Sequence, residues 1–416
     1  MDEIKKTNPH SSMEVPYKDT RKTLPVHEIP LNFLIYNKYN GRIASMVKSF
    51  ERQHRQLDAS DDKDKAIIEK FLWESSSSRN KHTQEDLERN QQLRYGIVTR
   101  DGVIIDGNRR AFLLGKIAAK KQSLPGHFLA VILDDTLNGN PKEIMRLETT
   151  YQMGEDEKLG YNAIEKYLRC KDLIDQGFKI KEIAQMMSED DAIIEKWLRT
   201  MKLMDSYLES LNYTEIYTRL DDTEGPFVDL ELYLQRYNKH TDLVTWAYEE
   251  SDVSDLKVIF FDLIRARFSG EGKQYRDAGK PSKKDSFFCN ETVWREFSKF
   301  HFASIDPITA KERSVDAIRK ENPDGNLDEL LKQRDKDWEA EVLPKLKENF
   351  GRSKRRLDDY NAKSAPLELL TRALATLSAI DPTVEAFLSD PKVEAVVSEI
   401  NTLTYEFRKL FKHKGN

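Results

Sequence analysis

The stretch VIIDGNRRAFLLGK, Val103 to Lys116, constrains this chain more than any other. A run of β-formers ends in Asp106 and Gly107, meets Asn108, Arg109 and Arg110, and passes at once into apolar residues spaced for a helix. The backbone must turn there from strand to helix, and Gly107 permits the φ that such a turn takes. The first amides of a helix starting near Arg109 have no acceptor one turn back and sit at the positive end of its dipole. They form a seat for an anion. Arg109 and Arg110 add charge-assisted, bidentate donors. Such a grip suits a di- or triphosphate or a nucleic-acid backbone without a Walker lysine, and the chain carries neither a Walker A sequence nor GxGxxG. On spacing alone, a hairpin and a helix start with solvated arginines stays open as the alternative.

The flanking segments give the grip a setting. Residues 1–23 are polar, punctuated by Pro9 and Pro16, and read as a flexible arm. LPVHEIPLNFLIYN holds a short strand around Val26 and Ile29 and then an apolar segment, Leu31 to Tyr36. Ile43, Met46, Val47 and Phe50 have the spacing of an amphipathic helix. Gln53 to Gln92 is a polar insertion with one helix around Ala66 to Trp73. GIVTRDGVIIDG is a hairpin split at Arg100-Asp101-Gly102. A helix with Ala111, Leu114, Gly115 and Ala118 on one face follows, and then the strand HFLAVILDD. Residues 24–140 therefore read as a small α+β domain, with the insertion near 53–92.

Beyond Lys142 the pattern is helical. A helix ends at Gly177, a plausible C′ glycine, and KIKEIAQMM and DAIIEKWLRTMKLM have helix-turn-helix spacing within a module at 141–211. Residues 212–416 read as a helical C-terminal domain of unknown type. The fold class expected is thus an α+β N-terminal domain followed by a mostly α-helical remainder.

Bulk composition narrows the function. One third of the residues are charged, yet the net charge is −5, so any contact with DNA must be local. The two cysteines, Cys170 and Cys289, have no CxxC spacing, which argues against thiolate zinc and disulfides and fits a cytoplasmic protein. No apolar run is long enough to span a bilayer, and no membrane partner is expected.

The order VHEIPLNFLIYNKYNGR, then LRYGIVTRDGVIIDGNRRAFLLGKIAA, then HFLAVILDD resembles the N-terminal domain of the ParB/sulfiredoxin-like superfamily. RLETTYQMGEDEKLGYNAIEKYLRCKDLI and the helix-turn-helix pair extend the resemblance over roughly residues 24–210. It implies that Gly107, Asn108, Arg109, Arg110 and Ala111 bind the phosphates of CTP or ATP with Mg²⁺, and that Arg42 reaches the same nucleotide. It also implies that Glu148 is the metal-associated acid of an ENxxR box, although Thr149 and Gln152 replace its Asn and Arg. Asp106 and Glu148 are the catalytic acids expected, with Asp101 beside them as a further Mg²⁺ ligand.

Asn108 stands where sulfiredoxins carry their cysteine and where kinase relatives commonly carry an acid, so thiol chemistry is excluded and the kinase reading weakened. The expected function is an NTP-hydrolysing switch acting on or near DNA, in a DNA-modification or phage-defence setting. The alternatives are a metal-dependent DNase at Asp106 and Glu148, and a non-catalytic interaction scaffold. Lys196 and Arg199 in the second helix of the pair, and Arg355 and Arg356 in GRSKRR, are the weak DNA contacts. Asp190, Asp191 and Glu195 make that helix's leading end unfavourable for DNA. The helical C-terminal half is the expected surface for a homo-oligomer or a partner protein.

Overall fold

The computed structural model describes residues 1–18, 20–121, 126–155, 162–239, 244, 246–270, 272–323 and 325–412. Part of the ENxxR-like segment, residues 156–161, lies outside them. The chain divides into two units, Met1–Asn349 and Phe350–Asn416.

The first unit opens with a sheet whose residues alternate between two apolar layers, as the period of a strand requires. In the strand His127–Ile132, Phe128, Ala130 and Ile132 face one layer, and Val131 faces the other. The sheet contains β1 (Ser11–Tyr17), β2 (Thr20–Pro30), β3 (Gly96–Val98), β4 (Ile104–Asp106) and β5 (His127–Ile132), in the spatial order β1-β2-β5-β3-β4. Only β3 and β5 run parallel. β1 was not legible in the sequence: the segment expected as a loose arm pairs with β2 along its whole length and buries Val15 and Tyr17.

One layer is covered by α1 (Ala44–Gln53), α2 (Asp62–Glu74), α3 (Ser77–Asn90) and α4 (Asn108–Lys121). The polar stretch 53–92 is thus a working part of the core rather than an exposed insertion, because Leu57, Ile68, Leu72 and Leu87 are buried in that layer. On α4 the buried face is centred on Phe112, Leu113 and Ile117, whereas Leu114, Gly115 and Ala118 are only half-buried.

Across the sheet, α5 (Pro141–Thr149) sets Ile144 and Leu147 against Val26, Ile105 and Val131. It runs into a π-helical turn, Thr150–Glu155, a rare form that is frequent at functional sites.

Helices fill the rest. α6 (Ala163–Asp175) leads to Gly177, at φ +81°, as its C-terminal spacing suggested. α7 (Ile180–Met187) and α8 (Asp191–Ser210) form the expected pair, with Ser188 left-handed between them. α9 (Glu224–Lys239), α10 (Glu250–Arg265), α11 (Glu291–Thr309) and α12 (Val315–Glu321) complete the unit, together with the start of α13 (Leu327–Ser378). The second unit holds the end of α13, α14 (Glu385–Ser389) and α15 (Pro391–Lys412). The boundary expected at residue 211 is not a division of the chain: Arg199 on α8 bonds Glu231 on α9, and Lys171 on α6 bonds the Tyr217 hydroxyl. No described helix is long and apolar enough to cross a membrane.

A buried carboxylate joins the α/β part to the helices. Glu165 on α6 accepts from the hydroxyl of Ser45 (2.5 Å) and from its amide (3.3 Å), at the start of α1. Burial pushes the Glu165 carboxyl up to about 7, with Asp221 and Asp172 adding to the rise against the pull of Ser45.

Candidate functional site

At the β4–α4 junction the side chains do what the sequence demands. Ile104 and Ile105 are fully buried on opposite faces of the sheet, which fixes the register of β4 and delivers Asp106 to its end. Gly107 follows with φ +102°, a region that L side chains rarely adopt. A Cβ there would also come within 2.6 Å of the Phe128 ring. Helix α4 starts at Asn108, and its first internal bond runs from the Ala111 amide to the Gly107 carbonyl at 2.9 Å. The amides of Asn108, Arg109 and Arg110 accordingly have no acceptor one turn back.

Asn108 is buried, and its side chain fixes the turn. Its Oδ1 accepts from the Asn37 amide (2.9 Å) and its Nδ2 donates to the Ile104 carbonyl (3.0 Å). The apolar segment after β2 runs beside β4 through an Ile35–Val103 bridge, which is how Asn37 arrives there. Asn40 then accepts from the Arg42 amide at 3.0 Å, setting Arg42 at the lip of α1.

These pieces meet in one cavity of about 760 Å³. Arg42, Asp106, Gly107, Asn108, Arg109 and Arg110 all line it. The sequence-expected residues of two separate boxes are therefore brought together, with two exceptions. The Ala111 side chain is 2% exposed and turned into the core, and its amide is already bonded, so it does not take part in the grip. Glu148 is absent from the cavity wall. Its Oε2 accepts from Arg169 Nη2 at 2.8 Å, and the two side chains are 3% and 4% exposed. Burial pushes the Glu148 carboxyl above the usual carboxylate range, and Arg169 pulls it back. Arg169, far along the sequence on α6, takes the acid that the ENxxR resemblance assigned to a metal.

Asp106 does line the cavity, but it accepts from Arg110 Nη2 at 2.5 Å, one helical turn away. Asp101 lies at the opposite end of β4, where its carboxylate accepts from the Leu137 amide at 3.2 Å. The donor set therefore does not fit a dedicated Mg²⁺ site: among the described residues no three His, Cys, Asp or Glu side chains converge. Nor does thiol chemistry belong here. Cys170 is buried in the α6–α8 core, where burial pushes its thiol up to about 12.

The cavity has walls the sequence reading missed. Arg94 and Tyr95 precede β3, and the pairing of Ile97 with Asp106 sets them beside the turn. That position was legible, since the Arg100-Asp101-Gly102 turn implies the register. Thr83 and Asp86 from α3, Glu14 from β1, and Tyr151 and Gln152 from the π-helical turn complete the wall. No local signal marks them, because they arrive through tertiary packing. Gln152 also donates to the Ile105 carbonyl at 2.9 Å, tying the π-helical turn to β4.

The residues expected to touch DNA are not collected. Lys196 is exposed, but Arg199 donates to the buried carboxylate of Glu231 at 2.6 Å and lies 3.8 Å from Glu195. Arg355 and Arg356 lie within helix α13, Arg355 exposed and Arg356 half-buried.

The chain matches no protein-family model and no curated protein. Among solved structures it is similar to the C-terminally truncated chromosome-partitioning protein ParB from Caulobacter crescentus complexed with CTP-γ-S, at 12% identity. That similarity covers 50% of this chain and 92% of the other, with a TM-score of 0.19, and carries no argument about what this chain binds.

Proposed function

We propose that the cavity at the β4–α4 turn binds a nucleoside triphosphate, CTP or ATP, by its phosphates, and that the α/β part is a ParB/sulfiredoxin-like domain. The observation that carries this reading is convergence: Arg42 from one box and Gly107, Arg109 and Arg110 from another line one cavity at a helix start. Backbone amides at the positive end of α4 and planar guanidinium groups form a donor set matched to phosphate oxygens. The cavity volume falls in the range of small-ligand sites.

The Asp106–Arg110 pair gives the ligand something to change. A phosphate that draws Arg110 away leaves Asp106 without its partner at the end of β4, so binding is coupled to the strand–helix junction. Slow hydrolysis then falls to Asp106, the acid of the turn itself, as the group that orients water and accepts its proton. Glu148 has no part in that step, and no step runs through a metal held by the protein. A switch acting on or near DNA is the setting expected from the resemblance, and the α7–α8 pair lends it no separate support, since Arg199 is committed to Glu231.

The reading is tested by displacement. Fluorescent CTP and ATP are bound to the full chain and challenged with inorganic triphosphate or with the parent nucleoside. A phosphate-held ligand is released by triphosphate and not by the nucleoside. Failure of both nucleotides to bind, or release by the nucleoside alone, would overturn it.

A further inference from the structure

The second unit handles its apolar residues in the opposite way from the first. Beyond Leu357 no described residue is buried. Leu367, Leu370 and Leu374 on α13 are 70%, 45% and 66% exposed, and Leu403, Leu410 and Phe411 on α15 are 55%, 67% and 72% exposed. Among the described residues, fifteen large apolar side chains between Leu367 and Phe411 are exposed in this way. With about 100 Å² per fully exposed side chain, they present roughly 900 Å² of apolar surface. The largest apolar patch on a monomer is usually some 300–600 Å², and a standard interface takes about 800 Å² from each partner. A helix without tertiary packing is also marginal in water, and α15 has 22 residues.

The spacing of these residues indicates what covers them. Val393, Ile400 and Phe407 recur every seven residues on α15, and Val396, Leu403 and Leu410 each follow three later. Leu367, Leu370, Leu374 and Leu377 repeat the same spacing on α13. This is a coiled-coil seam, and on α15 it has branched residues at two of three first positions and leucine at two of three second positions, a composition that favours pairing with a second identical helix. Off the seam, Lys392, Arg408 and Lys409 mix with Glu394, Glu399 and Glu406, so two copies meet without repulsion and no basic face selects a lipid surface.

We propose that the end of α13 and α15 form a homodimer interface, in which a second copy of this chain supplies the same two helices to one shared apolar core. The inference stands apart from the nucleotide reading.

Sedimentation equilibrium of the full chain tests it, with Leu403→Glu/Leu410→Glu as the variant. Both leucines are exposed in the single chain, so the variant costs that chain no packing, and a cooperative unfolding transition retained by the variant shows that its first unit still folds. The wild type is expected at twice the 48.5 kDa chain mass. The variant should associate at least about a hundredfold more weakly, which corresponds to roughly 2.7 kcal/mol. A monomeric wild type at tens of micromolar would overturn the proposal, and so would a variant that dimerises as well as the wild type.

Discussion

Two arginine–carboxylate pairs, Asp106–Arg110 at the end of β4 and Glu148–Arg169 between α5 and α6, do opposite work. Glu148 and Arg169 are both almost fully buried, and Arg169 also donates to the Thr149 hydroxyl at 2.9 Å. Asp106 and Arg110 have the same chemistry but line an open cavity. A buried pair is locked, because separating it strands a charge in a medium that cannot solvate it. A pair on a cavity wall is exchangeable, because water or an incoming anion can take either partner's place. Charge type therefore does not reveal which acid and which arginine serve a ligand. Burial does.

The largest effect that this contrast predicts is on the locked pair. Arg169→Ala should destabilise the fold by about 3–5 kcal/mol, read by denaturant unfolding, because Glu148 is left uncompensated. A loss under about 1 kcal/mol would show that the two pairs do not differ. Arg110→Ala is the counterpart. It should leave unfolding nearly unchanged and weaken nucleotide binding roughly 10- to 100-fold, the value of a charged hydrogen bond of about 1.5–3 kcal/mol. A fall in stability with no change in affinity would reverse the assignment.

The Ser45–Glu165 link sharpens the contrast by pH. The folded protein holds the Glu165 proton up to about 7, above the ordinary value of 4.5. The contribution is fully present below about 4.5 and is lost as the pH rises through about 7. Glu165→Gln keeps an acceptor for Ser45 and removes the buried charge. It should raise stability by roughly 3 kcal/mol at pH 8 and change little at pH 4.5, read as melting temperature across pH. Equal shifts at both pH values would show that the carboxylate does not titrate in the fold.

The smallest effect expected is at Asp106. Asp106→Asn frees Arg110 for phosphate, so affinity should rise a few-fold while any hydrolysis falls. If the acid were a ligand of a metal that the nucleotide needs, affinity would drop instead.

Much of the α/β part was legible in the sequence because its signals are local. The hairpin turn at Arg100-Asp101-Gly102, the glycine at 107 and the apolar start of α4 specify β3, β4 and the grip together. Asn108 was read for what it lacks, a thiol or an acid; in the structure it ties two segments and holds the turn. What escaped depends on partners distant in the chain. β1 was hidden because its apolar residues are few and its pairing needs β2. The core role of 53–92 was hidden because three or four apolar residues among many charges suffice to seat two helices on a sheet. Glu148 was misassigned because nothing near it in sequence announces Arg169. The exposed apolar seam beyond residue 365 was legible only as part of a helical C-terminal domain, since spacing alone does not show whether a helix covers its own neighbour or a second chain.

On the function proposed, the β4–α4 turn grips phosphate through Arg110. Isothermal titration of CTP, ATP and GTP, with and without Mg²⁺, into the wild type and Arg110→Ala tests it most directly. Saturable binding of CTP or ATP by the wild type is expected, weakened roughly 10- to 100-fold in the variant, whose unfolding is nearly unchanged. No binding of any nucleotide by the wild type, or equal binding by both proteins, would contradict it.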